Sequence, residues 1–136
     1  MILDTSAVFA VLLKEDGHAA FLDRMSDASH LLMSAGSWVE LTAVAVRGRK
    51  IPPAALDKAA AELGVQVVPV TLEHAELARA AYRTYGRGTG HPASLNFGDC
   101  FAYALDKSTG EPLLFKGDDF AATDIVSAVP TGRAAS

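Results

Sequence analysis

Short apolar runs that end in a carboxylate, or enclose one, constrain this 136-residue chain more than any other feature. Met1-Ile2-Leu3 runs into Asp4, Glu40 sits inside Ser37-Trp38-Val39-Glu40-Leu41, Asp99 opens a further apolar stretch, and Leu113-Leu114-Phe115 leads to Asp118-Asp119. A carboxylate taken unpaired into a low-dielectric interior costs on the order of several kcal/mol, so it shifts its pKa or finds a cation. Acids that converge from distant segments therefore point to a divalent-metal site.

Hydrophobic periodicity supplies the scaffold for that convergence. Residues 1–4 read as a short buried strand, with Thr5-Ser6 as the cap of a helix over 7–13. Helical spacing recurs over 18–25, from a Ser34 or Ser37 cap to about Val46, over 54–63 with Gly64 as its stop, and over 72–85 behind Thr71. Strands are predicted at 31–33, 65–70, 112–116 and 125–129. Gly86 to Leu95, rich in glycine, reads as a flexible loop, and Asn96 as the cap of a helix over 97–105 with Asp99 at its third position. Strands alternating with helices imply a parallel sheet covered on both faces, and in such sheets sites lie beyond the carboxyl ends of the strands. Asp4 and Asp118-Asp119 follow strand ends, while Glu40 and Asp99 lie in early turns of helices that can start at the same rim.

Half of the residues are hydrophobic and mean hydropathy is +0.21, which excludes a disordered chain and fits one domain over residues 1–130, with 131–136 as a frayed tail. The apolar runs fall far short of the ~20 residues of a spanning helix. No signal-peptide pattern opens the chain, and the single Cys100 cannot form an internal disulfide, so a cytoplasmic protein without membrane association is expected. A net charge of -4 does not advertise a nucleic-acid binder as a whole, yet Arg47, Arg49 and Lys50 form one basic group and Arg79, Arg83 and Arg87 another.

Each acid also has an ordinary explanation. Asp4 could accept backbone N–H bonds from the following turn, Asp99 could serve the first turn of its helix, and Asp118 and Asp119 could belong to a plain turn. Glu40 fits that pattern least, because Trp38, Val39, Leu41, Ala43 and Val44 leave little polar face around it, so a buried, paired glutamate is expected. If the acids meet, the donors are all oxygen, which selects Mg²⁺ or Mn²⁺. Such a site polarises a phosphodiester and orients a water for in-line attack, so hydrolysis is the expected reaction. His18, His30, His74 and His91 are scattered, and only His91, in the loop near Asp99, could approach a substrate. With no Lys or His obviously placed as a base, activation of the water falls to the metal.

The same residues carry a resemblance. Ile2-Leu3-Asp4-Thr5-Ser6-Ala7, Ser37-Trp38-Val39-Glu40-Leu41, Leu95-Asn96-Phe97-Gly98-Asp99-Cys100-Phe101-Ala102 and Leu113-Leu114-Phe115-Lys116-Gly117-Asp118-Asp119-Phe120, continuing through Thr123-Asp124-Ile125, resemble in order the motifs of PIN-domain ribonucleases, specifically VapC toxins. The resemblance spans nearly the whole chain. It implies a three-layer α/β/α sandwich around a mainly parallel sheet and a Mg²⁺-dependent endoribonuclease, with Mn²⁺ able to substitute. It also implies a homodimer and inhibition by a cognate VapB-like antitoxin whose tail enters the acidic site. Carried over by motif, Asp4, Glu40 and Asp99 would form the catalytic, metal-holding triad, with Asp118 or Asp119 as the fourth carboxylate and Thr5 and Ser6 steadying the site. Many PIN domains have a Thr and an Asp or Asn where this chain has Phe115 and Gly117, which leaves the fourth acid open with a lean to Asp119, directly before Phe120. Arg47, Arg49, Arg83 and Arg87 are candidate RNA contacts, and Tyr82 and Tyr85 could stack on bases, although helical spacing favours core or dimer interface for Tyr82.

Rival readings fit less well. A phosphoacceptor receiver domain wants an acidic pair after the first strand and a lone aspartate after a mid-chain strand, whereas here the pair comes late and the 65–70 strand ends in Thr71. An Asp-x-Asp phosphatase fails because Thr5-Ser6 follows Asp4. A PIN-like scaffold that binds RNA or protein without cutting differs from a nuclease only in activity.

Overall fold

The computed structural model describes residues 1–49 and 51–129, with the Arg49 side chain excepted. Lys50 and the tail expected at 131–136 lie outside the described residues. The order of elements is β1 (Ile2–Leu3), α1 (Thr5–Leu12), α2 (His18–Asp27), β2 (Leu31–Ser34), α3 (Ala35–Val44), a π-helical turn (Ala45–Arg49), α4 (Pro53–Leu63), β3 (Val65–Val68), α5 (Leu72–Tyr85), α6 (Asp99–Thr109) and β4 (Leu113–Leu114). The four strands form one parallel sheet in the order β3-β2-β1-β4, with Ile2 opposite both Leu32 and Leu113.

Two-residue strands survive at the centre because both faces are covered. Ile2, Leu3, Leu113 and Leu114 are completely buried, and full burial of each such side chain is worth about 1.5–3 kcal/mol. Their alternation splits the core in two. Leu3 and Leu114 join Val8, Phe9, Phe21, Met33 and Leu41 on the face covered by α1 to α4, while Ile2 and Leu113 join Leu95, Leu105, Phe115 and Phe120 on the face of α5 and α6. The expected three-layer sandwich is therefore the observed architecture.

Element ends show which local chemistry wins. Asp4, and not Thr5 or Ser6, caps α1, because its carboxylate takes the Ser6 N–H. Ser34 caps α3 by accepting from Gly36 N–H. Thr71 and His74 exchange side-chain and backbone bonds in a capping box, so α5 starts where expected. The last helix begins two residues later than expected, at Asp99, and runs on to Thr109. Residues 125–129 do not form a strand: a single parallel bridge joins Ser127 to Leu113. The 86–95 loop is closed on itself by Arg87 N–H to Leu95 O (2.9 Å) and Leu95 N–H to Tyr85 O (2.8 Å), not left open as the glycines suggest.

Candidate active site

The strand order places a topological switch between β1 and β4. From β1 the chain adds β2 and β3 on one side and then crosses to β4 on the other, which leaves a crevice outside the carboxyl ends of the two central strands. Asp4 follows β1 directly, and the Gly117-Asp118-Asp119 turn follows β4, with Gly117 at φ 101°, a left-handed conformation that glycine adopts without strain. The start of α6 delivers Asp99 to the same rim, and α3 delivers Glu40.

Asp4 is buried. Its Oδ2 accepts from Ser6 N (3.1 Å) and Ser6 Oγ (2.6 Å), while its Oδ1 is buried with no protein partner. Burial pushes the carboxyl's pKa up, the Ser6 and Thr5 bonds oppose that, and the Asp119 charge adds to it. Ser6 does a second job, because its Oγ also accepts from Lys116 N (3.0 Å), tying the end of β1 to the segment that carries Asp118 and Asp119. Lys116 Nζ in turn pairs with Glu15 at 3.0 Å.

Glu40 is half-buried rather than buried as the sequence suggests, because Val39 and Ala43, which line the same cleft, are themselves exposed. Thr5 Oγ1 donates to its Oε1 at 3.2 Å. Desolvation and then the Asp4 charge raise its pKa, and the Thr5 bond and Arg47 pull it down. Asp99 is buried and locked by a reciprocal pair of bonds: Asn96 N–H to its Oδ2 at 2.9 Å, and its own N–H to Asn96 Oδ1 at 2.8 Å. Burial first, then Asp4, and to a smaller extent Asp119 and Glu40, push its pKa up to about 7 against the opposing Asn96 bond. Asp4, Glu40, Asp99 and Asp119 thus share one electrostatic neighbourhood. Asp119 is the member of the late pair whose charge is felt at Asp4 and Asp99, while the Asp118 carbonyl accepts from Ala121 N–H (3.1 Å) in the following turn.

An open cleft of about 620 Å³ lies against this cluster, lined by Glu40, Arg47, Arg87, Asn96, Phe97 and Gly98 among others. Of the acids only Glu40 lines it; Arg47 and Arg87 share that cleft with Glu40, and the Arg47 charge is felt at Glu40. Arg83 is exposed on the last turn of α5 and does not line the cleft, and the Arg49 side chain lies outside the described residues. His91 packs edge-on against Tyr85, with its Nδ1 accepting from Ala93 N–H at 3.0 Å, so the loop does not bring it to the acids. Gly98 was not singled out by the sequence: a Cβ there would overlap the Glu40 carboxyl group. The available signal was a glycine immediately before an acid at a helix start.

The donor set suits a hard divalent cation. It is all oxygen, and the orphaned Asp4 Oδ1 is a buried acceptor that a cation would satisfy. Among the described residues, no three acidic, His or Cys side chains converge tightly enough to grip one ion by themselves.

A family model for the PIN domain matches residues 1–126. This chain belongs to the PIN-domain family. Within it, Ribonuclease VapC28 of Mycobacterium tuberculosis is 47% identical over 130 residues, covering 95% of this chain and 98% of that protein. Ribonuclease VapC42 of the same species is 45% identical over 126 residues, covering 92% and 96%. The crystal structure of M. tuberculosis VapC20, described as a Sarcin-Ricin loop cleaving toxin, superposes with a TM-score of 0.70 over 95% of this chain and 98% of that one. At 21% identity that likeness speaks for the PIN fold alone.

Proposed function

We propose that this PIN-domain chain is a VapC-type endoribonuclease toxin that hydrolyses RNA phosphodiester bonds with Mg²⁺, or Mn²⁺ in its place. The observation that carries the proposal is the raised pKa of Asp4, Glu40 and Asp99 at the sheet's switch point, with the Asp119 charge felt at Asp4 and Asp99, beside a cleft lined by Glu40 and two arginines. Relatives named as ribonucleases at 45–47% identity over nearly the full chain support it.

Asp4, Asp99 and Glu40 would hold the cation, directly or through its waters, with Asp119 as the fourth carboxylate. When bound, a divalent ion lowers the pKa of water and stabilises charge on the phosphoryl oxygens and the leaving oxygen. The chain's own groups set up that chemistry. Ser6 fixes the rotamer of Asp4, Thr5 holds Glu40, and the Asn96 backbone orients Asp99. Asp99, with its pKa pushed up to about 7, can hold a proton at neutral pH. Arg47 and Arg87 line the cleft at a place suited to backbone phosphates, where an arginine fork matches phosphate oxygens.

A homodimer and a VapB-like antitoxin are part of the same proposal. Val39, Val46, Leu72, Phe97 and Tyr82 are exposed, a larger apolar display than a lone monomer needs. Sedimentation at micromolar concentration would show a dimer. Among the described residues no helix is long and apolar enough to cross a membrane. A cytoplasmic site of action follows from the proposed RNA substrate.

Cleavage of total RNA by purified, antitoxin-free protein with Mg²⁺, Mn²⁺ or EDTA, beside Asp4→Asn, tests the reading. Discrete metal-dependent products that vanish in the variant would support it. Wild-type silence with RNA binding retained would replace it with a non-cleaving PIN scaffold.

A further inference from the structure

The crossing of α3 and α6 contains two glycines, each filled by a side chain of the other segment. A Cβ at Gly36, near the start of α3, would collide with the Phe101 ring of α6, lying 2.7 Å from its Cδ2. A Cβ at Gly98, just before α6, would overlap Oε2 and Cδ of Glu40 on α3 and lie 2.7 Å from its Oε1. Backbone geometry does not ask for glycine at 98: φ -64° and ψ -37° are ordinary right-handed helical values that any residue adopts. Alanine has the higher helix propensity at such angles. Space for the Glu40 carboxyl group is what the glycine supplies.

We infer that Gly98 is a positioning residue: the missing side chain lets the Glu40 carboxylate lie against the backbone at the start of α6, beside Asp99, and the Phe101-in-Gly36 contact fixes the register. The inference rests on Glu40 belonging to the cation-holding cluster. It separates two uses of the same crossing. Gly36 accommodates a ring that is part of helix packing, so filling it disturbs the fold. Gly98 accommodates the end of a flexible side chain, so filling it leaves the fold and displaces the carboxylate into the cleft. Gly98 itself touches neither substrate nor the reacting atoms.

The test is a double-mutant cycle of Gly98→Ala and Glu40→Ala, read by Mn²⁺ titration with electron paramagnetic resonance and by thermal unfolding in EDTA. Gly98→Ala is expected to unfold at or above the wild-type temperature and to bind Mn²⁺ about tenfold or more weakly, the usual effect of disturbing a group that orients metal ligands. In the Glu40→Ala background, where nothing remains to displace, the same substitution is expected to change Mn²⁺ affinity by less than about twofold. Wild-type affinity in Gly98→Ala, or an equal loss in both backgrounds, would overturn the inference. If Gly98→Ala fails to fold, the double variant decides: folding restored by removing Glu40 supports the steric account, and failure of both refutes it. Wild-type protein that binds Mn²⁺ yet cuts no RNA removes the nuclease reading and leaves this cycle readable, whereas a wild type that binds no Mn²⁺ removes both.

Discussion

Asp99 is an acid that works against its own fold, and Asp99→Asn measures by how much. The gap between the ordinary aspartate value of 3.8 and about 7 corresponds to roughly 4 kcal/mol at ~1.4 kcal/mol per pH unit. That is a ceiling, because Asp4 and Glu40 are coupled to the same charges and cleft water screens them, so we expect about 2 kcal/mol. The folded state holds the Asp99 proton more tightly than the unfolded chain, so between pH 3.8 and about 7 it binds more protons, and its stability falls as pH rises through that window. Asparagine keeps an oxygen to accept from Asn96 N–H and carries no charge. In urea melts with EDTA, Asp99→Asn should therefore exceed wild type by about 2 kcal/mol at pH 8, with the advantage shrinking towards zero below pH 4. The variant should also be inactive on RNA. A variant less stable than wild type at pH 8, or an advantage that does not change with pH, would refute the reasoning.

Ser6→Ala removes the hydroxyl that joins Asp4 to Lys116 N, so it should cost about 1–3 kcal/mol in chemical denaturation and lower cleavage about 10- to 100-fold. Mg²⁺ or Mn²⁺ at about a hundred times its Kd should stabilise the wild type by ~2.7 kcal/mol, reversibly with EDTA and more weakly at pH 6 than at pH 8 because protons compete for Asp99; calorimetric scans at both pH values check this. Arg47→Ala and Arg87→Ala should leave the unfolding temperature within a degree or so and weaken RNA binding, each reducing the slope of log affinity against log salt by about 0.7; an unchanged slope would remove that arginine from the phosphate contacts.

What the sequence disclosed and what it hid divide along a physical line. Features with local causes were legible: the strand that ends at Asp4, the Thr71 start of α5, the Gly64 stop of α4 and the alternation that makes a parallel sheet. Asn96 exchanges bonds with Asp99 as an N-cap does with the third residue of its helix, but the turn over Phe97 and Gly98 closes through the tighter bonds from Cys100 N–H to Phe97 O (3.3 Å) and Phe101 N–H to Gly98 O (3.2 Å), so the regular α-helical pattern of α6 starts only at Asp99, two residues later than apolar spacing predicts. Residues 125–129 have a strand-like pattern but meet the edge of the sheet in a single bridge, in which Leu113 bonds to Val126 and Ala128 on either side of Ser127, since β4 itself is two residues long. Pairing partners, not propensity, limit such a strand.

Glu40 shows the deeper limit. An apolar stretch around an acid predicts burial of the acid, and the chain does bury Leu41 and Ser37, yet Val39 is 68% and Phe97 75% exposed. Hydrophobicity records that a surface avoids water and does not say which surface covers it, another layer of the same fold or another molecule. The site inherits that ambiguity, because Glu40 and Phe97 line the same cleft between α3 and the start of α6. Asp4 and Asp119 are placed by the sheet and the segments that leave β1 and β4, joined through Ser6, whereas Glu40 depends on how closely two helices approach, and the glycines that set that approach carry no hydrophobic or charge signal to be read. Asp4 and Asp119 should therefore tolerate small substitutions at the α3–α6 crossing, while the position of Glu40 should respond there to single methyl groups.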